Sequence, residues 1–316
     1  MERRELGRSG IQVAPLCFGG NVFGWTIDEK TSFAVLDAFV DNGFDFIDTA
    51  DVYSRWANNG VGGQSETIIG NWLKQGGKRD KVIIATKLGK PMADDKKGLS
   101  KTYIRQAIDA SLKRLNTDYI DLYQAHEDDV NTPLEETLET FTELITEGKV
   151  RAIGASNYGA DRLREALKVS SENGFARYET LQPEYNLYDR QDYERQYEAL
   201  CHENNLGVIS YFSLASGFLT GKYRSENDLN KSKRGAGIKK YLDKRGFLIL
   251  RALDEVAANY NTTPASVALA WLMARPGITA PIASATSINQ LTELLKSTAL
   301  NLNPEDVEKL TTASIY

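Results

Sequence analysis

The chain has 316 residues, of which 41% are hydrophobic, and it carries 38 Lys and Arg against 43 Asp and Glu, a net charge of −5. No stretch approaches the roughly 18 consecutive apolar residues of a membrane span, and the first ten residues lack the apolar core of a signal peptide. The acidic balance also argues against nucleic-acid binding, which usually requires a basic face. We therefore expect a cytoplasmic protein that binds neither membrane nor nucleic acid.

The two cysteines and two histidines of the chain offer little material for cross-links or metal binding. Cys17 and Cys201 are too few to form a disulfide framework. The cysteines and histidines also lack the paired spacing of a zinc site. We therefore expect no metal site.

Short strand-like runs alternate with helix-like stretches along the chain. An opening hairpin is predicted from Arg3–Leu6 and Ile11–Ala14, which flank the turn Gly7-Arg8-Ser9-Gly10. After it, eight runs have the apolar character and the turn-residue borders of strands. These runs are Leu16–Phe18, Phe44–Asp48, Lys81–Lys87, Tyr119–His126, Val150–Ser156, Tyr178–Pro183, Gly207–Tyr211 and Ala280–Ala283.

Between the strands, apolar residues recur at three- and four-residue spacing, which predicts amphipathic helices. The clearest helices are Tyr103–Leu115, Leu134–Ile145, Asp161–Val169 and Pro264–Ala274, the last with Thr263 before it as a helix start. This alternation, without a Pro- or Ser-rich linker, predicts one α/β domain over residues 1–316 with a parallel sheet. Eight strands favour a closed (β/α)8 TIM barrel over an open sheet.

The interval from Phe212 to Arg245 breaks this rhythm and is unusually basic. Residues 222–245 hold nine Lys and Arg against three acids, a net charge of +6. A long loop after the seventh barrel strand lies on the functional face, and its charge favours binding of a small polyanion such as a dinucleotide. The alternative is a solvated insertion whose charges only keep it soluble.

Four titratable residues stand at or near the ends of predicted strands. Asp48, Lys87 and His126 end the second, third and fourth strands at intervals of 39 residues, and Tyr53 follows Asp48 by five. The C-terminal ends of barrel strands converge on one rim, so we expect these side chains to meet there. The three strand-end residues also have a structural explanation: a loop cap for Asp48, a snorkelling strand end for Lys87 and a hydrogen-bonded core histidine for His126. As a set they suit proton transfer, because an ammonium beside a phenol lowers the pKa of the phenol.

Distinctive segments lie at seven of the predicted strand ends. They are Gly43 to Tyr53 (GFDFIDTADVY), Ala85-Thr86-Lys87, His126, Gly154 to Tyr158 (GASNY), Gln182 to Asn186 (QPEYN), Tyr211 with Leu214 to Tyr223 (LASGFLTGKY), and Ala283–Leu291. In this order they resemble the aldo-keto reductase superfamily in its bacterial type, over the whole length of the chain. The resemblance implies a (β/α)8 barrel that uses NADPH to reduce an aldehyde or a ketone.

Carried over by position, the resemblance assigns Tyr53 as the general acid, with Lys87 and Asp48 tuning its acidity and His126 orienting the carbonyl. It also implies a set of cofactor-binding residues. The cofactor would pass beside Gly20, Asn21 and Asp48. Its nicotinamide carboxamide would be held by Ser156, Asn157 and Gln182, and its ring would contact Tyr211. The pyrophosphate would lie near Leu214, Ser216, Gly217 and Lys222, and the adenosine end near Ser287 and Gln290.

One segment departs from the pattern of this superfamily. Many NADP-selective members place a Lys or Arg just after the last strand, whereas Ser284–Gln290 contains neither. The missing charge leaves NADH as an alternative cofactor. NADPH is still favoured, because the positive loop over residues 222–245 is available to meet the additional phosphate.

Two alternatives remain beside carbonyl reduction with a small-molecule substrate. The chain could be a regulatory or sensor subunit that binds the cofactor with little turnover, or an isomerase or aldolase with Lys87 as a Schiff-base nucleophile. Trp25, Trp56 and Phe23 lie on loops after the first two strands and are candidates for the wall of the substrate pocket, or for a loop cluster that packs on itself. The sequence specifies neither the carbonyl substrate nor the oligomeric state.

Overall fold

The computed structural model describes residues 2–316. The strands are β1 (Arg4–Glu5), β2 (Gln12–Val13), β3 (Cys17–Gly19), β4 (Phe46–Asp48), β5 (Ile83–Leu88), β6 (Ile120–Ala125), β7 (Val150–Ser156), β8 (Tyr178–Gln182), β9 (Gly207–Val208) and β10 (Ile282–Ala283). The α-helices are α1 (Glu29–Asp41), α2 (Gln64–Leu73), α3 (Lys101–Leu115), α4 (Leu134–Thr146), α5 (Ala160–Asn173), α6 (Glu198–Glu203), α7 (Lys244–Asn259), α8 (Pro264–Ala274), α9 (Ile288–Lys296) and α10 (Pro304–Ala313).

Strands β3 to β10 form one parallel sheet of eight strands, in the order β10-β3-β4-β5-β6-β7-β8-β9. Hydrogen bonds join the two edge strands: the backbone N–H of Thr279 donates to the carbonyl oxygen of Val208 and that of Ile282 to Ser210, each at 2.8 Å. The sheet therefore curls into a (β/α)8 barrel, which confirms the fold predicted from the alternation of elements.

The hairpin of β1 and β2 covers the N-terminal end of the barrel. Its residues Leu6, Ile11 and Val13 are buried in a small apolar cluster with inward-facing strand residues such as Phe46. The hairpin turn requires glycine at position 7, where φ is +62° and a Cβ atom would lie 2.1 Å from the carbonyl oxygen of Glu179. This plug leaves the opposite, C-terminal end of the strands open for a site.

The helices form the outer layer and bury their apolar faces against the barrel. Helix α8 begins where the sequence predicts, because Thr263 accepts a hydrogen bond from the backbone N–H of Ser266 and Pro264 occupies the first turn. Helix α5 runs on to Asn173, beyond the predicted Val169, and Gly174 ends it in the left-handed conformation. Within residues 2–316, no helix combines the length and the apolar character that a membrane crossing requires.

The basic interval contains short 3₁₀ helices at Glu226–Lys231 and Gly235–Tyr241. Its side chains bridge two other loops at the C-terminal end of the barrel. The ammonium of Lys233 donates to the carbonyl oxygen of Trp25 (3.0 Å), and the hydroxyl of Tyr241 donates to Asp189 (2.9 Å). The loop therefore lies across the open end of the barrel.

Candidate active site

The C-terminal ends of β4, β5 and β6 bring together the four titratable residues singled out above. Asp48 is the last residue of β4, Lys87 the penultimate residue of β5, and His126 follows β6 directly. His126 is held in line because its backbone N–H donates to the carbonyl oxygen of Leu88 at 2.8 Å. Tyr53 lies on the turn after β4, and its ring is 6.0 Å from that of His126 between centroids.

The ammonium of Lys87 is completely buried and donates three hydrogen bonds. The acceptors are Asp48 Oδ2 at 2.6 Å, the carbonyl oxygen of Thr49 at 2.8 Å and the hydroxyl oxygen of Tyr53 at 3.0 Å. An ammonium has three N–H groups, so all of them are engaged. Because Tyr53 accepts from Lys87, its own hydroxyl proton is available to a third group.

The carboxylate of Asp48 is held at both oxygens. Its Oδ1 accepts from the side-chain amides of Gln182 at 2.9 Å and Gln124 at 3.2 Å, while Oδ2 accepts from Lys87. A buried ion pair is tolerated only with such satisfied geometry, since each charge has lost its hydration. The pair therefore acts as a fixed support beneath Tyr53.

The protonation states follow from burial and from neighbouring charges. Burial by itself would lower the pKa of Lys87, but the charge of Asp48 and its hydrogen bonds raise it above the ordinary value. Burial raises the pKa of Tyr53, and the positive charge of Lys87 opposes this rise without cancelling it. At neutral pH Lys87 is therefore a cation and Tyr53 a neutral phenol.

His126 is buried with its imidazole near this cation. Burial is the main reason why its pKa lies well below the ordinary value, and the charges of Lys87 and Lys90 act in the same direction. The neutral ring has one donor and one acceptor nitrogen. Neither ring nitrogen makes a hydrogen bond with residues 2–316. Nδ1 is buried, so Nε2 is the nitrogen left for a ligand.

The residues expected to hold the nicotinamide lie next to one another after β7, β8 and β9. Ser156 donates to the carbonyl oxygen of Gln182 at 2.9 Å, and Asn157 donates to that of His126 at 2.8 Å. The hydroxyl of Tyr211 donates to Asn157 Oδ1 at 3.2 Å. Asn157 also has a left-handed backbone, with φ of 54°, and strain of this kind is concentrated at functional sites. Tyr211 is thereby linked through Asn157 to the backbone of His126.

The segment after β9 has an unusual backbone. The three successive residues Ala215, Ser216 and Gly217 have φ values of 47°, 57° and 100°, directly after Leu214. Left-handed non-glycine residues cost of order 1–3 kcal/mol each, so the conformation needs support from its surroundings. A Cβ atom on Gly217 would lie 3.7 Å from the ammonium of Lys222. The backbone of Gly217, which has no side chain, and the Lys222 cation therefore face the same space.

On the other side of the opening, Gly20 fits closely against the site. A Cβ atom there would lie 3.0 Å from Ser65 Oγ and 3.1 Å from the carbonyl oxygen of Asp48. When the amide nitrogen of Asn21 faces Ser284 Oγ at 2.8 Å, its oxygen accepts a hydrogen bond from Arg234 at 3.0 Å. An arginine of the basic loop thus reaches the edge formed by Asn21 and Ser284.

Arg234 is a partly buried cation without a carboxylate partner among residues 2–316. Its guanidinium lies 5.2 Å from the centroid of the Trp25 ring, and burial lowers its pKa. Desolvation without an opposite charge is costly, so this position suits an anionic ligand. The sequence revealed Arg234 only as one of the positive charges of the loop.

The residues expected at the adenosine end lie at the start of α9. Ser287 caps this helix by accepting the backbone N–H of Gln290, whose own Oε1 accepts the backbone N–H of Thr286 at 2.9 Å. Ser287 is partly buried and Gln290 is exposed. Among the cations described above, Arg234 reaches this segment, because it bonds Asn21 and Asn21 in turn bonds Ser284. The basic loop therefore supplies a charge that Ser284–Gln290 lacks.

The aromatic residues considered for the pocket wall separate into two groups. Trp56 is 52% exposed, and its ring packs edge-on against Trp25 at 5.5 Å and Tyr53 at 5.9 Å. Phe23, in contrast, is fully buried and stacks on Phe18 in the core. The interpretation of Phe23 as a wall residue is wrong, because the loop after β3 turns its ring inward; Trp25 and Trp56 remain beside Tyr53.

Glu184, after β8, provides a stability prediction. Burial, with the nearby Asp189, raises the pKa of Glu184 from 4.5 to about 7, while Lys240 opposes the rise. A raised carboxyl pKa means that the folded state binds more protons than the unfolded state between these values, so stability falls as pH rises from about 4.5 to 7. Relative to Glu184→Gln, the wild type should lose stability over this interval and stay level above it, as measured by urea unfolding. A constant difference between the two proteins would contradict this.

Comparison with known proteins agrees with the fold. The model of the Aldo/keto reductase family matches residues 15–315. From Bacillus subtilis (strain 168), "Uncharacterized oxidoreductase YrpG" is 37% identical, covering 98% of this chain and 95% of that protein, and "Aldo-keto reductase YhdN" is 34% identical, covering 99% and 93%. A "Probable voltage-gated potassium channel subunit beta" from Oryza sativa subsp. japonica is 34% identical, covering 98% and 95%. The chain therefore belongs to the aldo/keto reductase family of NAD(P)H-dependent oxidoreductases.

Proposed function

We propose that the protein reduces aldehydes or ketones to alcohols with NADPH, and that Tyr53 is the general acid. The observation that carries the proposal is the hydrogen bond from the buried Lys87 ammonium to the Tyr53 hydroxyl. This bond leaves the phenolic proton directed to a further acceptor. The imidazole of the neighbouring His126 makes no hydrogen bond with residues 2–316 and keeps Nε2 free, so two polar groups are available to one carbonyl oxygen.

The residues around the opening fit a nicotinamide dinucleotide. The strained backbone of 215–217, the ammonium of Lys222 and the unpaired Arg234 suit the phosphates, and Tyr211 offers a ring face beside Asn157. Gln182 keeps an acceptor oxygen for a carboxamide, while its nitrogen is engaged with Asp48. Bound there, the reduced nicotinamide supplies the hydride.

The chain's own residues perform the proton transfer and the alignment. As negative charge develops on the substrate oxygen, Tyr53 donates its proton to that oxygen. Lys87 stabilises the resulting phenolate, and Asp48 keeps the ammonium in place. His126, neutral because its pKa is low, donates a hydrogen bond to the same oxygen without competing for the proton.

The alternative role of Lys87 as a Schiff-base nucleophile has little support. A nucleophilic amine must be neutral, whereas the pKa of Lys87 is raised by Asp48 and Tyr53 against the effect of burial. All three N–H groups are also engaged. Treatment with borohydride in the presence of an aldehyde should therefore leave Lys87 unmodified, as peptide mapping by mass spectrometry would show.

The alternative of a cofactor-binding subunit with little turnover draws on the relatives named as channel β subunits. The complete set of Asp48, Tyr53, Lys87 and His126 favours an enzyme. The test is steady-state oxidation of NADPH at 340 nm with a panel of aliphatic and aromatic aldehydes. Turnover of order 1 s⁻¹ or more with any of them supports the proposal. Tight NADPH binding without turnover across the panel would favour the subunit.

Arg234 provides a prediction on cofactor choice. The 2′-phosphate of NADPH carries close to two negative charges, and a charge-assisted hydrogen bond contributes about 1.5–3 kcal/mol. If Arg234 meets this phosphate, Arg234→Met should lower the kcat/KM ratio of NADPH over NADH by about tenfold or more. The ratio for the wild type should also fall with rising salt.

Lys239→Met is the matched control, since Lys239 carries the same charge on the same loop but pairs with Glu226 at the surface. It should leave the cofactor ratio within twofold of wild type. An unchanged ratio in Arg234→Met would place the phosphate elsewhere. A wild-type ratio below one would overturn the assignment of NADPH.

A further inference from the structure

The loop after β5 carries a second cation at the rim of the site. The carbonyl oxygen of Leu88 accepts the backbone N–H of His126 at 2.8 Å, and that of Gly89 accepts from Gly98 at 2.8 Å. A Cβ atom on Gly89 would lie 3.8 Å from the carbonyl oxygen of Glu127. The backbone leading into Lys90 therefore runs beside His126 and Glu127 at the C-terminal end of the barrel.

The same loop also contacts the segment that follows Tyr53. A Cβ atom on Gly62 would lie 2.8 Å from both the sulfur and the methyl carbon of Met92. Gly62 lies between Tyr53 and helix α2. Residues 89–92 therefore contact both the segment between Tyr53 and α2 and the end of β6 that carries His126.

Lys90 is partly buried and makes no ion pair or side-chain hydrogen bond with residues 2–316. Three acids stand on the adjoining loop. Asp128 pairs with Arg162 at 3.2 Å, Asp129 accepts the backbone N–H of Leu99 at 2.8 Å, and Glu127 forms no ion pair with Lys90. The positive charge of Lys90 also lowers the pKa of His126, although its effect is smaller than that of burial and that of Lys87. A partly buried cation that forms no ion pair is available to bind an anion.

We propose that Lys90 binds a carboxylate on the carbonyl substrate, so that the preferred substrates are aldehydes or ketones with a carboxylate several atoms from the carbonyl group. This inference rests on the proposed function, since it names the substrate class of the same site. Trp56 and Trp25, packed beside Tyr53, provide an aromatic surface for the part of the substrate between the two polar groups. A substrate without a carboxylate would leave Lys90 without an ionic partner.

The test compares 4-carboxybenzaldehyde with 4-formylbenzamide, a neutral substrate of nearly the same shape. The wild type should prefer the carboxylate, and Lys90→Met should raise KM for it about tenfold while changing the amide less than twofold. Lys90→Arg should restore most of the preference, because it keeps the charge. Lys96→Met, on the exposed part of the same loop, is the control and should match the wild type.

The outcomes separate this inference from the proposed function. Equal kcat/KM for the two aldehydes in the wild type, or an equal loss on both in Lys90→Met, would overturn the role of Lys90 and leave the proposed function standing. If the wild type reduced neither aldehyde, the proposed function would be in question instead. If there is no turnover, binding of 4-carboxybenzaldehyde can still be measured by the quenching of tryptophan fluorescence. Weaker quenching in Lys90→Met than in the wild type would support the role of Lys90, and equal quenching would overturn it.

Discussion

Tyr53→Phe should lower kcat for carbonyl reduction by about 10²–10⁴-fold, the usual loss when a general acid is removed. The variant keeps the ring that packs on Trp56 and loses only the hydroxyl that Lys87 bonds at 3.0 Å. The affinity for NADPH should remain near that of the wild type, since the proposed phosphate contacts lie on other loops. Single-turnover reduction and NADPH binding by fluorescence measure the two quantities separately.

Tyr197→Phe is a suitable control, because its hydroxyl donates to the carbonyl oxygen of Tyr158 at 2.9 Å, away from the four titratable residues. It should lose about 1 kcal/mol of stability and keep its turnover. If Tyr53→Phe retained more than a tenth of wild-type turnover, another group would have to supply the proton. Loss of NADPH binding in this variant would instead indicate a role in holding the cofactor.

The fold could be predicted from the sequence because each barrel strand is a short apolar run bounded by turn residues, which is a local signal. The ends of the strands were less predictable. Strand β9 is regular only to Val208, whereas the sequence suggested Tyr211. Beyond it, Ser210 accepts from Ile282 at 2.8 Å and Tyr211 donates to Pro183 at 2.9 Å. Phe44 precedes β4 and its backbone N–H bonds Phe39, at the end of α1. The end of β9 thus depends on contacts distant in the chain, whereas Phe44 is held at the end of α1 by a local bond.

The regular interval of 39 residues led to Asp48, Lys87 and His126, because one strand and one helix repeat between them. Gln124 was missed, although it stands two residues before His126 and therefore faces the same side of β6. A polar residue at this spacing in a buried strand was the available signal.

Arg234 and Phe23 were not predictable in the same way. Arg234 meets Asn21 across the opening of the barrel, and no local pattern distinguishes it from the other cations of its loop. Phe23 stands on a loop beside Trp25, yet its ring enters the core and that of Trp25 does not. In both residues the direction of the side chain depends on how separate loops pack, which the order of residues along one loop does not specify.

Lys87→Met should both inactivate the enzyme and destabilise it. Without the ammonium nothing opposes the effect of burial on the pKa of Tyr53, so the phenol becomes a weaker acid and kcat should fall by about 10²–10⁴-fold. Asp48 would keep a buried negative charge bonded only by two amides, and loss of one partner of a buried ion pair costs about 3–5 kcal/mol. Urea unfolding measures this loss.

The double variant Lys87→Met with Asp48→Asn separates the two effects. Replacing both charges removes the unpaired carboxylate, so most of the lost stability should return, whereas kcat should stay as low as in Lys87→Met because the phenol still lacks its cation. Circular dichroism during urea unfolding and turnover at 340 nm report the two quantities on the same preparations. If activity returned together with stability, Lys87 would serve only to hold Asp48, and the acidity of Tyr53 would have to depend on another charge. If neither returned, the side-chain amides of Gln124 and Gln182 would require a carboxylate at position 48 as their acceptor. The Asp48–Lys87 pair beneath Tyr53 would then be a unit in which neither charge can be replaced.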